Sequence, residues 1–251
     1  MKFYKLLVLS IGMIFFSCKN ETHSVTETTG TRLSIDNKIK ANNEFEDFIE
    51  PYKEHLNATL DSVLAYNPRL LSKSDGDLNT ALGNLMADAV FEQAGPVFKS
   101  RTGKNLDFVL LNHGGIRAQL PKGNISSRHA YALMPFENEI VIAELSGKKV
   151  KEMLKYLSKA KTAHPVSGIR ILANKNFKII NATINGQPIQ DDETYFVATS
   201  DYLQQGGDNM RFFKDPVNLY SVDYKLRNAI IDYFKKTDTI KNKKDERYIR
   251  S

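Results

Sequence analysis

The sequence contains no tryptophan and a single cysteine, Cys18. One thiol cannot close a disulfide within the chain, and no second cysteine is present to share a zinc ion with it. Without tryptophan, any surface that stacks on a flat ligand has to come from the 14 phenylalanines and 11 tyrosines. These absences exclude a disulfide framework and a cysteine-based zinc site, and they leave Phe and Tyr as the candidate stacking residues.

A basic face for nucleic acid is also missing from the body of the chain. The net charge is +6, but Lys2 and Lys5 supply two of these charges, and residues 235–251, with seven basic and three acidic side chains, supply the rest. Residues 18–234 are therefore neutral overall. A nucleic-acid-binding domain clusters its bases on a folded surface, so nucleic acid is not expected as a partner. We predict that residues 237–251 form a solvated basic tail.

The N-terminal apolar run is too short to span a bilayer. It covers residues 6–16, follows Lys2 and Lys5, and ends before the small residue Ser17. A basic start, a short apolar stretch and a small residue are the pattern of a cleaved signal peptide, which we assign to residues 1–17.

Cys18 follows that segment directly. The sequence Phe15-Phe16-Ser17-Cys18 resembles a bacterial lipobox, with Phe15 where leucine is usual. We interpret Cys18 as a lipidation site, which predicts a membrane-anchored lipoprotein of the cell envelope facing the periplasm or the exterior. The alternative is an ordinary secretory signal and a chance cysteine. Residues 18–41 are polar, include five threonines and predict a flexible tether.

One domain is predicted over residues 42–236, with no internal repeat and no domain break. Pro51 predicts the start or an interruption of a helix near residue 51, and Gly95-Pro96 predicts the end or a kink of the helix before it. Hydrophobic periodicity and apolar runs predict further elements. The helices are 80–98, 126–133, 148–159 and 224–234, and the strands are 63–71, 106–111, 139–145, 169–173, 179–184 and 194–200. Helices separate some strands and hairpins separate others, which predicts an α/β domain of mixed α+β layers.

Four segments carry a family resemblance when they are read together. They are LGNLMADA at 82–89, NHGGIR at 112–117, PFEN at 135–138 and YLQQGGD at 202–208, with SGIR at 167–170 between the last two. In this order they resemble the C-terminal domain of the 5'-nucleotidase family, over roughly residues 60–235. The resemblance implies that family's layered sandwich with mixed sheets.

The same resemblance implies a division of labour between two domains. In the family, an N-terminal metallophosphatase domain holds two divalent metals and performs the hydrolysis, and the C-terminal domain grips the nucleoside. The motifs that would bind those metals are missing from this sequence. We therefore assign no catalytic residue, metal ligand or cofactor to the chain. His113 is interpreted as a structural loop residue.

Matching the family motifs residue by residue assigns a substrate site. The resemblance implies that Phe136 and Tyr202 are the two rings that sandwich a base, with Tyr202 where phenylalanine is usual. It implies that Asp208 binds the ribose hydroxyls. Stacked rings hold a flat base through its faces, and a carboxylate accepts short hydrogen bonds from vicinal hydroxyls. Taken alone, Phe136 is more typical of a core residue and Asp208 of a turn cap.

The remaining assignments concern the two ends of the ligand. The resemblance implies that Asn112 and Arg117 face the phosphate and that Asn138 and Gly168 line the edge of the base. An arginine suits phosphate because its planar group can bind two oxygens at once. The sequence departs from the family before LGNLMADA, where members usually carry an extra arginine. Residues 76–81 contain no base.

Two functions are consistent with these assignments. One is a nucleotide- or nucleoside-recognition subunit of a 5'-nucleotidase-type phosphohydrolase, which works with a separate metallophosphatase chain in nucleotide catabolism. The other is a stand-alone surface lipoprotein that binds nucleosides or nucleotides and has no catalytic role. Independent enzyme action is the least favoured, since neither a metal-ligand set nor a nucleophile paired with a histidine is evident.

Overall fold

The computed structural model describes residues 24–36 and 38–251. The predicted signal peptide, residues 1–17, and the predicted lipidation site, Cys18, lie outside the described residues. The chain divides into two compact units, and the boundary between them in the sequence falls between Phe48 and Ile49. In the first unit, the described residues before Asn43 are exposed and hold neither helix nor strand.

The first helix of the described residues, α1, covers Asn43–Asp61 and has no buried residue. The prediction that Pro51 starts or interrupts a helix is wrong, because Pro51 lies inside α1. Proline removes one hydrogen bond of a helix and frees the carbonyl four residues earlier. In an exposed helix that carbonyl can be solvated, which makes the proline tolerable. Among the described residues, no helix is long and apolar enough to cross a membrane.

The longest helix, α2, covers Ala81–Thr102 and forms one wall of the domain. The Thr80 side chain caps its start by accepting a hydrogen bond from the backbone N–H of Gly83. The sequence predicted that Gly95-Pro96 ends or kinks this helix. The pair does not end it, because α2 continues past Pro96. Gly103 caps the helix in the left-handed conformation.

Three sheets and four shorter helices complete the domain. The strands are β1 Val63–Asn67, β2 Phe108–Leu110, β3 Gly123–Ser126, β4 Glu139–Ser146, β5 Val166–Ser167, β6 Ile169–Ala173, β7 Ile179–Ile184, β8 Gln187–Pro188, β9 Thr194–Ser200, β10 Asn218–Lys225 and β11 Tyr248–Arg250. The helices are α3 Ser127–Leu133, α4 Gly147–Ala160, α5 Asp201–Gln204 and α6 Leu226–Lys236. The sheet orders are β1-β3, β10-β4-β9-β2-β5 and β11-β6-β7-β8.

The five-stranded sheet lies between two hydrophobic clusters. Ile140 and Ile142 of β4 belong to the cluster that includes α2 and α6, whereas Ala143 and Leu145 belong to the cluster that includes α4 and β6. A strand buried on both faces is a continuous apolar run, as the sequence shows for β2 and for residues 140–143 of β4. The sheet is mixed, since β2 and β9 are parallel while β4 and β9 are antiparallel. The predicted layered α/β fold with mixed sheets is confirmed.

The basic C-terminal segment folds back onto the domain. Ile240 and Tyr248 are buried, Thr239 bridges to Tyr66, and β11 pairs in parallel with β6. The prediction of a solvated tail over residues 237–251 is therefore wrong. The charge count of this segment did not take account of the apolar residues between its basic side chains. Burial of those apolar residues holds the segment against the domain.

Candidate functional site

A cavity of about 560 Å³ opens beside the five-stranded sheet. Its lining combines core side chains with polar groups from loops. The lining residues are Met86, Leu111, Asn112, Gly114, Gly115, Arg117, Met134, Phe136, Glu137, Asn138, Ser200, Tyr202, Asp208 and Leu226. Six of the seven substrate residues predicted from the motifs are among them. The seventh, Gly168, is not.

Sheet topology explains why residues far apart in sequence meet here. Strands β2 and β9 are parallel neighbours, so the segments that follow them leave the sheet at the same edge. Asn112 follows β2, and Tyr202 and Asp208 follow β9. Strand β4 is antiparallel to β9, with Ile140 opposite Ser200, so the residues just before β4, Phe136 and Asn138, arrive at that edge too.

A second cavity, of about 750 Å³, lies beside the four-stranded sheet, but its chemistry is less suited to a flat ligand. No aromatic ring lines it. Both of its cations are already paired with carboxylates, Arg170 with Glu246 and Arg247 with Asp245. The 560 Å³ cavity is lined by aromatic rings and by a cation, Arg117, that pairs with no carboxylate of the described residues. It is therefore the better candidate.

The loop of residues 112–117 makes a tight turn around the Asn112 side chain. A Cβ atom on Gly115 would lie 2.7 Å from Asn112 Oδ1, closer than side chains tolerate, so position 115 has to be glycine for Asn112 to fold over the loop. Arg117 lies at the end of this loop, with its guanidinium 5.8 Å from the centre of the Phe136 ring. It belongs to no ion pair of the described residues.

The two predicted stacking rings are both partly exposed. Phe136 is 43% exposed and Tyr202 is 47% exposed, which removes the alternative that Phe136 is a core residue. The Tyr202 ring rests on the backbone of Gly207, where a Cβ atom would lie 2.5 Å from two ring carbons. The glycine therefore fixes the position of the ring. That the two rings stack on a base stays a prediction.

Asp208 is held in place from several directions. Its Oδ2 accepts a hydrogen bond from Asn112 Nδ2 at 2.7 Å, and its Oδ1 accepts one from the Tyr202 hydroxyl at 3.1 Å. The Tyr156 hydroxyl donates to its backbone carbonyl at 2.9 Å. Its backbone is left-handed, with φ of 49°. The side chain thus reaches across to loop 112–117 instead of capping its own turn, and each carboxylate oxygen keeps a free lone pair for a ligand.

Asn138 is anchored at the same edge. Its Nδ2 donates to Asp201 Oδ1 at 2.9 Å, and its backbone carbonyl accepts from the N–H of Leu226 at 3.0 Å. These bonds fix the end of the PFEN segment against α5 and α6. The lining position of Asn138 is consistent with its predicted place beside a base.

Gly168 lies elsewhere, and its predicted place in the substrate site is not supported. It joins β5 to β6 with φ of 80°, where a Cβ atom would lie 2.4 Å from the carbonyl oxygen of Asp107 and 2.9 Å from the Phe91 ring. The conformation and the close packing on the start of β2 explain the glycine without any ligand.

Arg227 supports the PFEN segment and was not singled out by the sequence. It is 5% exposed, and its Nη1 donates to the carbonyls of Met134 and Phe136 at 3.4 and 3.3 Å. It also pairs with Glu137, and its guanidinium lies 4.1 Å from the centre of the Tyr131 ring. These partners lie about 90 residues earlier in the chain, so no local pattern could have revealed them.

One histidine of loop 112–117, His113, is hydrogen-bonded to a second histidine, His164. His164 is buried, and burial lowers its pKa to about 4, so its Nδ1 is free to accept the hydrogen bond that the backbone N–H of His113 donates at 3.3 Å. Burial also lowers the pKa of His113, whose Nδ1 lies 3.3 Å from the carbonyl of Ala163. Across residues 24–36 and 38–251, no group of three or more His, Cys, Asp or Glu residues is placed to hold a metal ion.

The family model of the 5'-nucleotidase C-terminal domain matches residues 60–215. The chain is 30% identical to the trifunctional nucleotide phosphoesterase YfkN of Bacillus subtilis over 80% of this chain and 15% of that protein. It is 27% identical to UshA of Escherichia coli over 77% of this chain and 35% of that protein. It therefore spans less than half the length of these relatives.

Solved structures show the same fold. The 5'-nucleotidase precursor of Thermus thermophilus matches 82% of this chain with a TM-score of 0.68 and 22% identity, over 42% of its own length. This likeness shows the fold of the domain. The chain belongs to the 5'-nucleotidase family through that family's C-terminal domain.

Proposed function

We propose that this domain binds a nucleotide or nucleoside in the 560 Å³ cavity and serves as the recognition subunit of a 5'-nucleotidase-type phosphohydrolase in nucleotide catabolism. One observation carries the proposal. Four side chains from three distant motifs line this one cavity. They are the exposed rings of Phe136 and Tyr202, the carboxylate of Asp208, and Arg117, which pairs with no carboxylate of the described residues.

Each part of a nucleotide has a suitable partner in this arrangement. A base that stacks on Phe136 or Tyr202 gains about 1–3 kcal/mol per ring. Asp208, held by Asn112 and Tyr202, offers oriented acceptors to a vicinal diol. Arg117 can bind two phosphate oxygens. The cavity volume falls within the range of small-molecule sites.

The second half of the proposal is a separate metallophosphatase partner carrying two divalent metals. It is supported by the relatives' greater length and by the lack of a metal-ligand cluster in the described part of the chain. Helix α1, which ends where the family-matched region begins, adds support: its residues Ile49 and Leu56 are exposed. Apolar side chains on a helix surface suit a protein interface. An envelope lipoprotein anchored at Cys18 remains part of this proposal.

Calorimetric titration of the full chain with adenosine and with AMP tests the binding half. We expect saturable binding of both, and we expect Phe136→Ala to weaken both by roughly fivefold to a hundredfold, the value of one stacked base. Leu219→Ala is the matched control, because Leu219 is 48% exposed and lies on β10, outside the cavity lining. Equal effects of the two substitutions, or no binding by the unaltered chain, would overturn the proposal.

A further inference from the structure

The neutral charge total of residues 18–234 conceals two helices of opposite charge. Helix α1 carries six acidic side chains and one basic side chain, whereas α4 carries five lysines and one glutamate. Helix α4 contacts the predicted substrate site through Tyr156, whose hydroxyl donates to the backbone carbonyl of Asp208. None of its lysines lines the 560 Å³ cavity. Nucleotide binding therefore gives no account of these lysines.

Four of the lysines form a ridge along the outer face of α4. We call these four exposed residues the α4 ridge: Lys148, Lys151, Lys155 and Lys159. Because a helix turns by about 100° and rises by about 1.5 Å per residue, the ridge occupies about 60° of the circumference and is about 16 Å long. The opposite face is buried in the cluster that includes β6, through Val150, Met153 and Leu157. The ridge therefore faces away from the core.

Acidic groups compensate the α4 ridge only weakly. Lys151 pairs with Asp191 at 2.6 Å, but the two side chains are 47% and 53% exposed, so that solvent screens the pair. The other three lysines of the ridge belong to no ion pair among the residues that the structure describes. The helix itself has one acidic residue, Glu152. The ridge therefore keeps a net positive charge.

The basic surface continues past the end of the helix. Lys161 follows α4 in the left-handed conformation, with its Nζ 5.1 Å from the centre of the Phe177 ring. The Ser158 hydroxyl donates to the carbonyl of Phe177 at 2.6 Å, which joins the turn between β6 and β7 to α4. That turn contains two more exposed lysines, Lys175 and Lys178. Seven lysines thus belong to α4 and the segments beside its end.

The start of α4 is charged against the preference of a helix. The N-terminal end of a helix carries a partial positive charge, so acidic side chains stabilise the first turn and lysines destabilise it. The first turn of α4 has no acidic residue and contains Lys148 and Lys149. Lys149 donates to the backbone carbonyl of Lys214, but Lys148 makes no hydrogen bond or ion pair with any described residue. A local cost without a structural gain points to a function outside the fold.

The chemistry of this surface suits an anionic bilayer better than a nucleic acid. All seven cations are lysines, which act as hydrated point charges, whereas arginine is the preferred residue for nucleic-acid recognition. Single strands also need a groove with aromatic rings that are free to stack. The Phe177 ring is instead covered by Lys161 and by the Arg250 guanidinium, which lies 4.3 Å from its centre. Lysine clusters on an amphipathic helix are typical of surfaces that bind acidic lipid headgroups.

We propose that the α4 ridge, together with Lys161, Lys175 and Lys178, is a docking surface for an anionic phospholipid bilayer. Each lysine near such a bilayer raises the affinity roughly fivefold, and the lysines act together. Docking of this kind is reversible, and an acyl chain at Cys18 would add a second attachment. The inference goes beyond nucleotide binding and depends neither on it nor on lipidation.

Vesicle cosedimentation tests this surface in the full chain carrying Cys18→Ala, so that no acyl chain contributes. We expect binding to mixed phosphatidylglycerol and phosphatidylcholine vesicles at low salt and its loss at high salt, because salt screens the attraction. Vesicles of phosphatidylcholine alone measure any attraction that does not depend on charge, and binding to them should be much weaker.

Two double variants locate the attraction on the molecule. Lys155→Gln combined with Lys159→Gln should weaken binding to the anionic vesicles roughly tenfold to thirtyfold, and glutamine preserves the helix. Lys241→Gln combined with Lys243→Gln is the matched control, because it removes the same charge from exposed lysines outside α4. It should leave vesicle binding nearly unchanged.

Three outcomes would overturn the inference. Equal losses in the two double variants would assign the attraction to the net charge of the chain, and equal binding to neutral and anionic vesicles would exclude a charged docking surface. Tighter binding of a short DNA duplex than of the anionic vesicles would identify a nucleic-acid surface instead. AMP titration of the variant with Lys155→Gln and Lys159→Gln should match the unaltered chain, which separates this inference from the proposed nucleotide binding.

Discussion

The hydroxyl of Tyr202 lies 3.1 Å from Oδ1 of Asp208, six residues further along the chain. The same hydroxyl also accepts from the backbone N–H of Asp208 at 3.3 Å. A phenylalanine at position 202 could present the same ring face but could not make these bonds. Tyr202 therefore links the predicted stacking surface to the predicted ribose ligand, and a bound sugar would share Asp208 with it.

Substitutions at Tyr202 should separate its ring from its hydroxyl. We expect Tyr202→Phe to weaken adenosine by at most about a hundredfold, because it removes the hydroxyl that positions the Asp208 carboxylate, and a hydrogen bond to a charged group contributes about 1.5–3 kcal/mol. Tyr202→Ala also removes the ring and should weaken adenosine by a further 1–3 kcal/mol or so. Titration calorimetry measures both. Equal losses in the two variants would show that the ring does not stack on the ligand.

The C-terminal segment should be a structural part of the domain. Arg247 pairs with Asp88 and Asp245 and donates to the carbonyl of Val166 at 2.9 Å. Removing one member of a largely buried charge network leaves its partners uncompensated, so we expect Arg247→Met to lower the free energy of unfolding by about 3 kcal/mol. Urea unfolding measures the loss.

A second arginine provides the matched control for Arg247. Arg170 pairs with Glu246, and their side chains are 63% and 74% exposed. An exposed pair of this kind contributes little, so Arg170→Met should change the free energy of unfolding by less than about 1 kcal/mol. If Arg247→Met is as mild as Arg170→Met, the segment is not held by this network.

Stability should fall in acid because of His164. Its pKa in the folded chain is about 4 because of burial, whereas histidine in an unfolded chain titrates near 6.5. Between these values only the unfolded chain binds the proton, so the contribution is complete above about pH 6.5 and is lost as the pH falls toward about 4. The loss can reach about 3 kcal/mol.

Unfolding in urea at pH 7.5 and pH 5 tests this dependence. His164→Gln offers an acceptor to the backbone N–H of His113 but has no proton to bind in this range, so the difference between the two pH values should shrink. His55→Gln, at an exposed histidine of α1, is the control and should leave the difference unchanged. An undiminished difference in His164→Gln would assign the acid sensitivity to other groups.

The sequence predicted the elements best where periodicity and burial agree. Strands β6, β7 and β9 have the predicted bounds, because their apolar positions face a packed layer. Six of the site residues that were predicted from the motifs line the same cavity. Local patterns could not anticipate contacts between distant segments. The role of Arg227, which donates to the carbonyl of Phe136, depends on tertiary packing.

The same limit explains the predictions that the structure does not support. Gly168 lies within a motif that resembles the family's, yet its position beside Asp107 and Phe91 became evident only from the sheet. The C-terminal segment appears as a charged tail when its residues are counted, while Ile240 and Tyr248 are buried only because β1 and β6 provide surfaces for them. Charge composition describes solubility and not the path of a chain.

The membrane anchor is predicted to depend on Cys18, the one cysteine of the chain. Acyl chains on that residue would hold the protein to a membrane through buried methylenes. We expect Cys18→Ala to shift the protein from the membrane to the soluble fraction, as measured by fractionation and immunoblotting. Ser17→Ala, which keeps a small residue before the cysteine, is the control. Unchanged membrane association of Cys18→Ala would refute the lipobox assignment.

The final prediction concerns hydrolysis. We expect the purified chain not to hydrolyse AMP, even with Mn²⁺, Zn²⁺ or Mg²⁺ added. Hydrolysis of a phosphate monoester is among the slowest uncatalysed reactions, so catalysis has to lower the barrier greatly. Paired metals do this by activating water and neutralising the phosphoryl oxygens. The described residues offer no cluster of ligands for them. Arg117 and Asn112 can position a phosphate, but positioning accelerates a reaction only when the nucleophile is held too.

Activity should appear when a metallophosphatase chain is added, and colorimetric phosphate release measures it. The activity should then decrease in Asp208→Asn and Arg117→Met, because Asp208 and Arg117 are predicted to bind the substrate. It should also decrease in Ile49→Asp, which places a charge on the exposed face of α1. Ile49→Asp should leave adenosine affinity unchanged, since Ile49 is outside the cavity lining.

A chain that binds AMP but activates no metallophosphatase would favour a stand-alone binding lipoprotein. Turnover of AMP by the isolated, metal-stripped chain would refute the binding-subunit proposal, because the nucleophile would then have to lie within this domain.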